Sequence, residues 1–203
     1  DEKINTVKDA SNRLNEATIS GIGSTSYNSN IGGININFGD VRMASDMDIN
    51  SNLIIVRGGG DIATGTIMKL YKCGYSVLIL EIPHPSSIRR NVSFSEAVYE
   101  KTQTVEDVTC YLAEDIDEAK EFLNQGKLTA LVDPDCKCLN ELKPIALIDA
   151  ILAKKNLGTN KAMAPITIAL GPGFTAGIDV DAVIETMRGH SLGRIIYNGE
   201  AIK

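Results

Sequence analysis

The stretch Leu53-Ile54-Ile55-Val56 runs without a polar break into Arg57-Gly58-Gly59-Gly60. A continuous apolar run of strand length marks a strand buried on both faces, and such strands belong to parallel sheets covered on both sides. The glycines behind it ask for a tight turn. A helical pattern over 62–73, closed by Gly74 as a C-terminal cap, and a second apolar run over 75–80 complete one βαβ unit. That unit confines the chain to the α/β class.

Ser93 and Glu96 have the spacing of a capping box ahead of a short helix ending near Tyr99. Residues 108–112 read as a strand and 117–124 as a helix, with Gly126 behind it. Apolar runs over 128–132, 145–148 and 166–170 end in Asp133-Pro134, Asp149 and Gly171-Pro172-Gly173. In open parallel sheets the ligand crevice lies beyond the carboxyl ends of the strands, so Gly58, Glu81, Asp133, Asp149 and Gly171 are expected on one rim. Residues 182–187 and 195–197 alternate as a β-hairpin around Arg188-Gly189-His190, the other reading being a helix capped by Asp181.

The expected architecture is therefore α/β: a Rossmann-like, doubly wound, mostly parallel sheet with a flexible N-terminal extension and a C-terminal β-hairpin. Residues 1–52 form the polar extension or linker, 53–178 the nucleotide-binding domain, and 179–203 a hairpin leading to a module absent from this chain. Within the extension, Ile4, Val7, Leu14 and Ile19 recur at helical spacing. Gly, Ser and Asn then dominate, as in a tether, although Ile34-Asn35-Ile36-Asn37-Phe38 alternates as a small strand would. A chain opening on Asp1 is expected to be processed or to be a piece of a longer polypeptide.

Composition narrows the partners. The formal net charge of −6 opposes nonspecific attraction to nucleic acid or anionic lipid, so an anionic ligand must be gripped locally. No apolar run approaches the roughly 20 residues of a membrane span. Cys73, Cys110, Cys136 and Cys138 read as free thiols of a reduced, cytoplasmic protein. Cys136-x-Cys138 is too tight for the usual zinc spacing, and His84 and His190 are the only histidines, so no metal site is assigned.

The chemistry concentrates on the glycine loop. Gly58-x-Gly60-x-x-Ala63 follows a strand, opens a helix, and is followed by an acidic residue after the next strand. Gly58 permits the turn, Gly60 lets backbone approach a pyrophosphate, and Ala63 keeps helix and sheet close; Gly59, Asp61, Thr64 and Gly65 complete the loop. Glu81 stands where an acceptor for a ribose 2′-hydroxyl belongs and favours NAD. Arg89 and Arg90 suit a 2′-phosphate and favour NADP, or else form a solvated pair. Gly171 and Gly173 make a second glycine loop or a structured exit from the sheet, and Asp133, Asp149, Lys154 and Asn156 are rim residues able to orient a ligand. No catalytic residue is assigned.

The strings Val56-Arg57-Gly58-Gly59-Gly60-Asp61-Ile62-Ala63-Thr64-Gly65, Ile88-Arg89-Arg90-Asn91-Val92-Ser93-Phe94-Ser95-Glu96-Ala97-Val98-Tyr99 and Lys154-Lys155-Asn156-Leu157-Gly158-Thr159 stand in that order. They are followed by Leu170-Gly171-Pro172-Gly173-Phe174-Thr175-Ala176-Gly177 and Glu185-Thr186-Met187-Arg188-Gly189-His190-Ser191-Leu192-Gly193-Arg194. With these motifs, over roughly residues 53–200, the chain resembles the YqeB family. These are accessory proteins of the selenium-dependent molybdenum hydroxylase system, akin in outlook to XdhC-type maturation factors.

The resemblance implies a Rossmann-like domain handling a nucleotide or the molybdenum cofactor while a partner molybdenum hydroxylase is sulfurated, selenated or loaded with its metal centre. Residues 1–52 match nothing associated with the family. Three functions are weighed: such a maturation factor, an NAD(P)-dependent oxidoreductase, and a nucleotide-sensing regulatory module. The oxidoreductase lacks an assignable proton relay. A homo-oligomer is left open.

Overall fold

The computed structural model describes residues 49–202, together with a short backbone pairing of Ser29–Asn30 (β1) and Gly33–Ile34 (β2), which is antiparallel. The expected helix within 1–20 lies outside the described residues, as does most of the alternating segment 34–38. The chain divides into two compact units, Asp1–Ser45 and Asp46–Lys203. The second begins with a 3-10 turn, Ile49–Ser51, inside the expected linker; Ile49 packs on the core and the Asn50 side chain accepts from the Lys143 amide at 2.7 Å.

Leu53–Arg57 (β3) is buried at all five positions, as its unbroken apolar run requires. It pairs in parallel with Ser76–Glu81 (β4) on one side and Ala146–Asp149 (β8) on the other. Beyond β4 come Leu128–Val132 (β7) and Val108–Ala113 (β6), both parallel, then Thr102–Val105 (β5), antiparallel at the edge. Beyond β8 come Ile166–Leu170 (β9) and Ala182–Ile184 (β11), parallel, closed by antiparallel Ile195–Ile196 (β12). The sheet thus has nine strands, largely parallel, with few helices, consistent with a Rossmann-like α/β fold. The chain leaves β3 first towards β4 and later towards β8, so strand order reverses at the β3/β8 boundary.

Alternation sorts the strand residues onto two faces. Ile54, Val56, Val77 and Ile79 face Ala63 and Ile67 of helix Asp61–Lys72 (α1), together with Phe94 and helix Ala97–Glu100 (α2). Leu53, Ile55, Leu78 and Leu80 face Ala119 and Leu123 of helix Ile116–Asn124 (α3) and the 3-10 turn Lys137–Asn140. A smaller cluster around Phe174, Val180 and Val183 closes the β9/β11 end. There Thr175–Ala176 (β10) pairs with Gly199–Glu200 (β13).

The helix ends follow local chemistry. Gly74, at φ +92, closes α1 in a Schellman pattern, its amide bonding Tyr71 O while Tyr75 N bonds Leu70 O. Asp115 caps α3 by accepting from Glu118 N at 2.9 Å. The expected capping box at Ser93 and Glu96 does not form: the Ser93 hydroxyl donates to Arg89 O and the Glu96 carboxylate is taken by Arg90. The hairpin of β11 and β12 is present, and Asp181 caps no helix. Instead its carboxylate accepts from the amide and hydroxyl of Thr167.

Phe94 is fully buried under the sheet and anchors the segment that crosses the glycine loop. Phe94→Ala is expected to lower stability by about 3–5 kcal/mol. Urea unfolding should show this as a fall in midpoint with an unchanged slope.

Candidate functional site

Parallel pairing brings the carboxyl ends of β3, β4, β7, β8 and β9 to one edge of the sheet, carrying Gly58, Glu81, Asp133, Asp149 and Gly171 with them. Each of these residues has a local occupation.

Gly58 sits at φ +92, and a Cβ there would come within 3.1 Å of Ala150 O and of the Ile151 backbone. Gly59 has no room either, because a Cβ would meet Ser95 N at 3.0 Å. Segment 85–96 lies over this turn: Ser95 N donates to Gly59 O at 2.9 Å and Phe94 N to the Thr64 hydroxyl at 3.0 Å. Internal bonds stiffen the segment, with Tyr99 donating to Pro85 O and the Ser87 and Ser95 hydroxyls 2.8 Å apart. Ala63 is buried against the sheet, whereas Gly65 has nothing within 4 Å of where a Cβ would stand.

Gly60 differs from its neighbours. It is the N-cap of α1 at φ −62 and ψ 177, makes no side-chain cap bond, and a Cβ there would find only Ser87 Oγ, at 3.7 Å. The first amides of a helix have no partner within it, and α1 starts on the rim without an N-cap side chain to meet them. The Asp61 carboxylate turns back onto this end. Its Oδ1 accepts from Ile62 N at 3.1 Å and its Oδ2 from Arg89 Nε at 2.7 Å. Arg90 pairs with Glu96, which it holds below the usual carboxylate range, and stacks over the Tyr99 ring. Neither arginine is a free guanidinium.

The Glu81 carboxylate accepts from Gly59 N at 2.6 Å and from Ile82 N at 3.1 Å, tying the end of β4 to the glycine turn. Burial pushes its pKa up, against the opposing pull of these two bonds. Asp133 accepts from the amides of Lys137 and Cys138 and so caps the 3-10 turn. Burial raises the thiols of Cys110, Cys136 and Cys138, so none is poised as a thiolate.

The centre that sequence reasoning missed is Arg57. It lies buried between loops, its Nη1 donating to Thr159 Oγ1 at 2.5 Å and standing 3.5 Å from Asp149 Oδ2. Its Nη2 donates to Pro134 O at 3.0 Å and to Leu157 O at 3.4 Å. The Thr159 hydroxyl donates in turn to Asp149 Oδ2 at 2.5 Å, and Asn156 Nδ2 donates to Thr159 O. A charge ending an otherwise apolar run was the signal, because a buried guanidinium requires a partner.

The second glycine loop meets protein rather than open space. A Cβ on Gly173 would stand 2.5 Å from Lys155 N, and one on Gly171 2.7 Å from Thr186 Oγ1. Lys154 is exposed on the facing loop. Among the described residues no cluster of His, Cys, Asp or Glu is placed to hold a metal ion, and no helix is long and apolar enough to cross a membrane.

Two outcomes follow from these contacts. Removing one partner of the buried pair, by Arg57→Met or Asp149→Leu, should cost about 3–5 kcal/mol. The double variant should lose less than the sum, as read by denaturant unfolding around a mutant cycle. For Glu81, folding favours the protonated acid. Its contribution is therefore complete below the ordinary glutamate value of about 4 and is lost as pH rises through the raised value. Thermal unfolding from pH 4 to 7 should show the native chain losing ground to Glu81→Gln, and parallel curves would contradict this.

Among known proteins, the chain is similar to the uncharacterized protein YqeB of Escherichia coli (strain K12). The two are 50% identical over 161 residues, 79% of this chain and 30% of that protein. The chain thus spans less than a third of the relative it matches. This match supports the assignment to the YqeB family made from the motifs. No protein-family model matches, and no solved structure matches.

Proposed function

Taking the chain as a member of the YqeB family, we propose that its sheet unit binds a nucleotide or another phosphate-bearing cofactor at the N-terminus of α1. We place it in a cytoplasmic accessory protein that helps mature a selenium-dependent molybdenum hydroxylase. The observation that carries the reading is the uncapped start of α1 at the point where strand order reverses, which is where open α/β sheets bind ligands. Helix amides and the dipole there favour an anion.

Asp61 already plays the anion's part, bridging an α1 amide and Arg89. A phosphate that displaced this carboxylate would inherit both donors. The molybdenum cofactor and the nucleotides alike carry such a group. Glu81 weighs against an NAD(P)-dependent oxidoreductase, because the carboxylate a ribose hydroxyl would seek is engaged by two backbone amides.

Titration calorimetry with NAD, NADP, ATP and the molybdenum cofactor tests the proposal, using the native chain and Gly60→Asp. The geometry at Gly60 accepts an aspartate, which would cap α1 and plug its amides without unfolding the loop. Binding of the molybdenum cofactor or a nucleotide, weakened about tenfold or more in the variant, supports the reading. Binding of nicotinamide dinucleotides alone would favour the redox enzyme. Nucleotide binding with no capture of a molybdenum hydroxylase would favour a sensing module, and no binding at all would overturn the proposal.

A further inference from the structure

The two faces of the sheet are covered unequally, and the direction of its connections says why. Strand order runs β12-β11-β9-β8-β3-β4-β7-β6-β5. The step from β3 to β4 goes one way along this order and carries α1 on one face, whereas the steps from β8 to β9 and from β9 to β11 go the other way. Crossovers between parallel strands are right-handed, so opposite directions of travel put the connections on opposite faces. The structure obeys this rule. Met163 and Ala164 ahead of β9, and Phe174 and Val180 ahead of β11, pack on the face away from α1.

The consequence falls on the α1 face beyond β8. Register sets Ile166 beside Ala146, Ile168 between Ile148 and Ala182, and Ile184 between Leu170 and Ile195. Direct partners point to the same side of a sheet, so these side chains continue the surface on which α1 lies. Ala146 and Ile148 are buried, but Ile166 and Ile195 are each 51% exposed, with Ile168 and Ile184 half-buried. A strand with parallel neighbours on both sides, as β9 has, ordinarily belongs to a sheet covered on both faces. On this face α1 contacts β4 and α2 contacts β5, β6 and β7, and none of the crossovers among the described residues runs over the other half.

The bare strip has the dimensions and chemistry of a helix seat. β9, β11 and β12, at about 4.8 Å between neighbours, span about 10 Å. That is the width of one α-helix with its side chains, about 10–12 Å. The strip is made of Ile166, Ile168, Leu170, Ala182, Ile184 and Ile195 and carries no charge. The chain to fill it exists in the family, because the match covers 30% of the longer relative and leaves more than two thirds of that polypeptide outside it. A second copy of this chain would instead bring another net charge of −6, which opposes self-association.

We propose that the strip formed by β9, β11 and β12 on the α1 face seats an amphipathic helix supplied by the further polypeptide of the family. The helix lies beside α1 and turns Leu, Ile, Val or Met at i, i+3, i+4 and i+7 onto the isoleucines of the strip. It supplies the second layer that this half of the sheet lacks. Leu170 and Ile184 stand at the upper end of the strip, next to Gly171, so the docked unit adjoins the rim that carries the candidate site. The inference rests on family membership and is independent of the phosphate-binding reading.

The test is thiol alkylation, resolved by peptide mass spectrometry, on Ile195→Cys and on Ile88→Cys as a control. Ile88 is 98% exposed and lies outside the strip. Each substitution is made in this chain and at the aligned position of the full-length relative, and Ile166→Cys repeats the measurement at the other end of the strip. The expected result is that the thiol at 195 reacts about tenfold or more slowly in the relative than in this chain, while the thiol at 88 reacts equally in both. A thiol-to-amine cross-linker at 195 should then reach a segment outside the match that carries apolar residues at helical spacing.

Equal rates at 195 in the two proteins, or equal slowing at 88 and 195, would overturn the inference. So would slow reaction in this chain alone that deepens with protein concentration, or cross-links confined to a second copy, since either outcome makes the strip a self-association surface. An unfolding midpoint matching the parent's in each variant shows that reactivity reports covering and not lost fold.

Discussion

A guanidinium buried at the carboxyl end of the central strand organises the rim of this protein. Arg57 cannot leave its charge uncompensated in the interior, so β8 supplies a carboxylate at its end and the loops after β7 and β8 bend to supply two carbonyls and a hydroxyl. Those donors and acceptors fix where Pro134, Leu157 and Thr159 stand. Gly58, the next residue, takes up its left-handed turn against the root of the same β8 loop. The geometry of the glycine turn and that of the loop facing it are therefore one problem with one electrostatic solution.

The three glycines that follow β3 do different work. Gly58 and Gly59 are demanded by neighbouring backbone, which leaves no volume for a side chain. Gly60 is demanded by nothing nearby, and with no side chain there only Asp61 turns back onto the helix start. Packing explains two of the three. The third has no packing reason of this kind, although a Ser, Asp or Asn there would make a better helix start.

Much of the fold was legible because its signals are local. The runs at 53–56 and 128–132 became parallel strands, buried throughout except at Val132, and Gly74 ended α1 as a left-handed cap should. β5 was not legible. Thr102-Gln103-Thr104-Val105 has no apolar face, being an edge strand held by its partner β6, and its turn passes through Glu106 at φ +53 without the usual glycine. At the site, sequence spacing placed Glu81 and Arg89 near the glycine loop. It could not show that their charges are spent on Gly59 and Asp61, since hydrogen-bond partners chosen across 22 and 28 residues depend on tertiary packing. The Ser93 and Glu96 pair shows the same limit, a correct spacing overridden by two arginines.

The reversal of strand order at β3 also has a temporal side. One edge of β3 finds β4 almost at once in chain order, whereas its other edge waits for β8, and the clasp of Arg57 on Thr159 spans 102 residues. Contacts of such separation close late and slow the search for the native state. During synthesis this apolar strand would stand half-paired, with a charged side chain at its end and a row of open amides along its flank, until β8 and its loop emerge from the ribosome. A nascent chain in that condition is an invitation to foreign strands. The arginine that later locks the rim spends that interval as the one solvated, repelling group at the end of an adhesive edge.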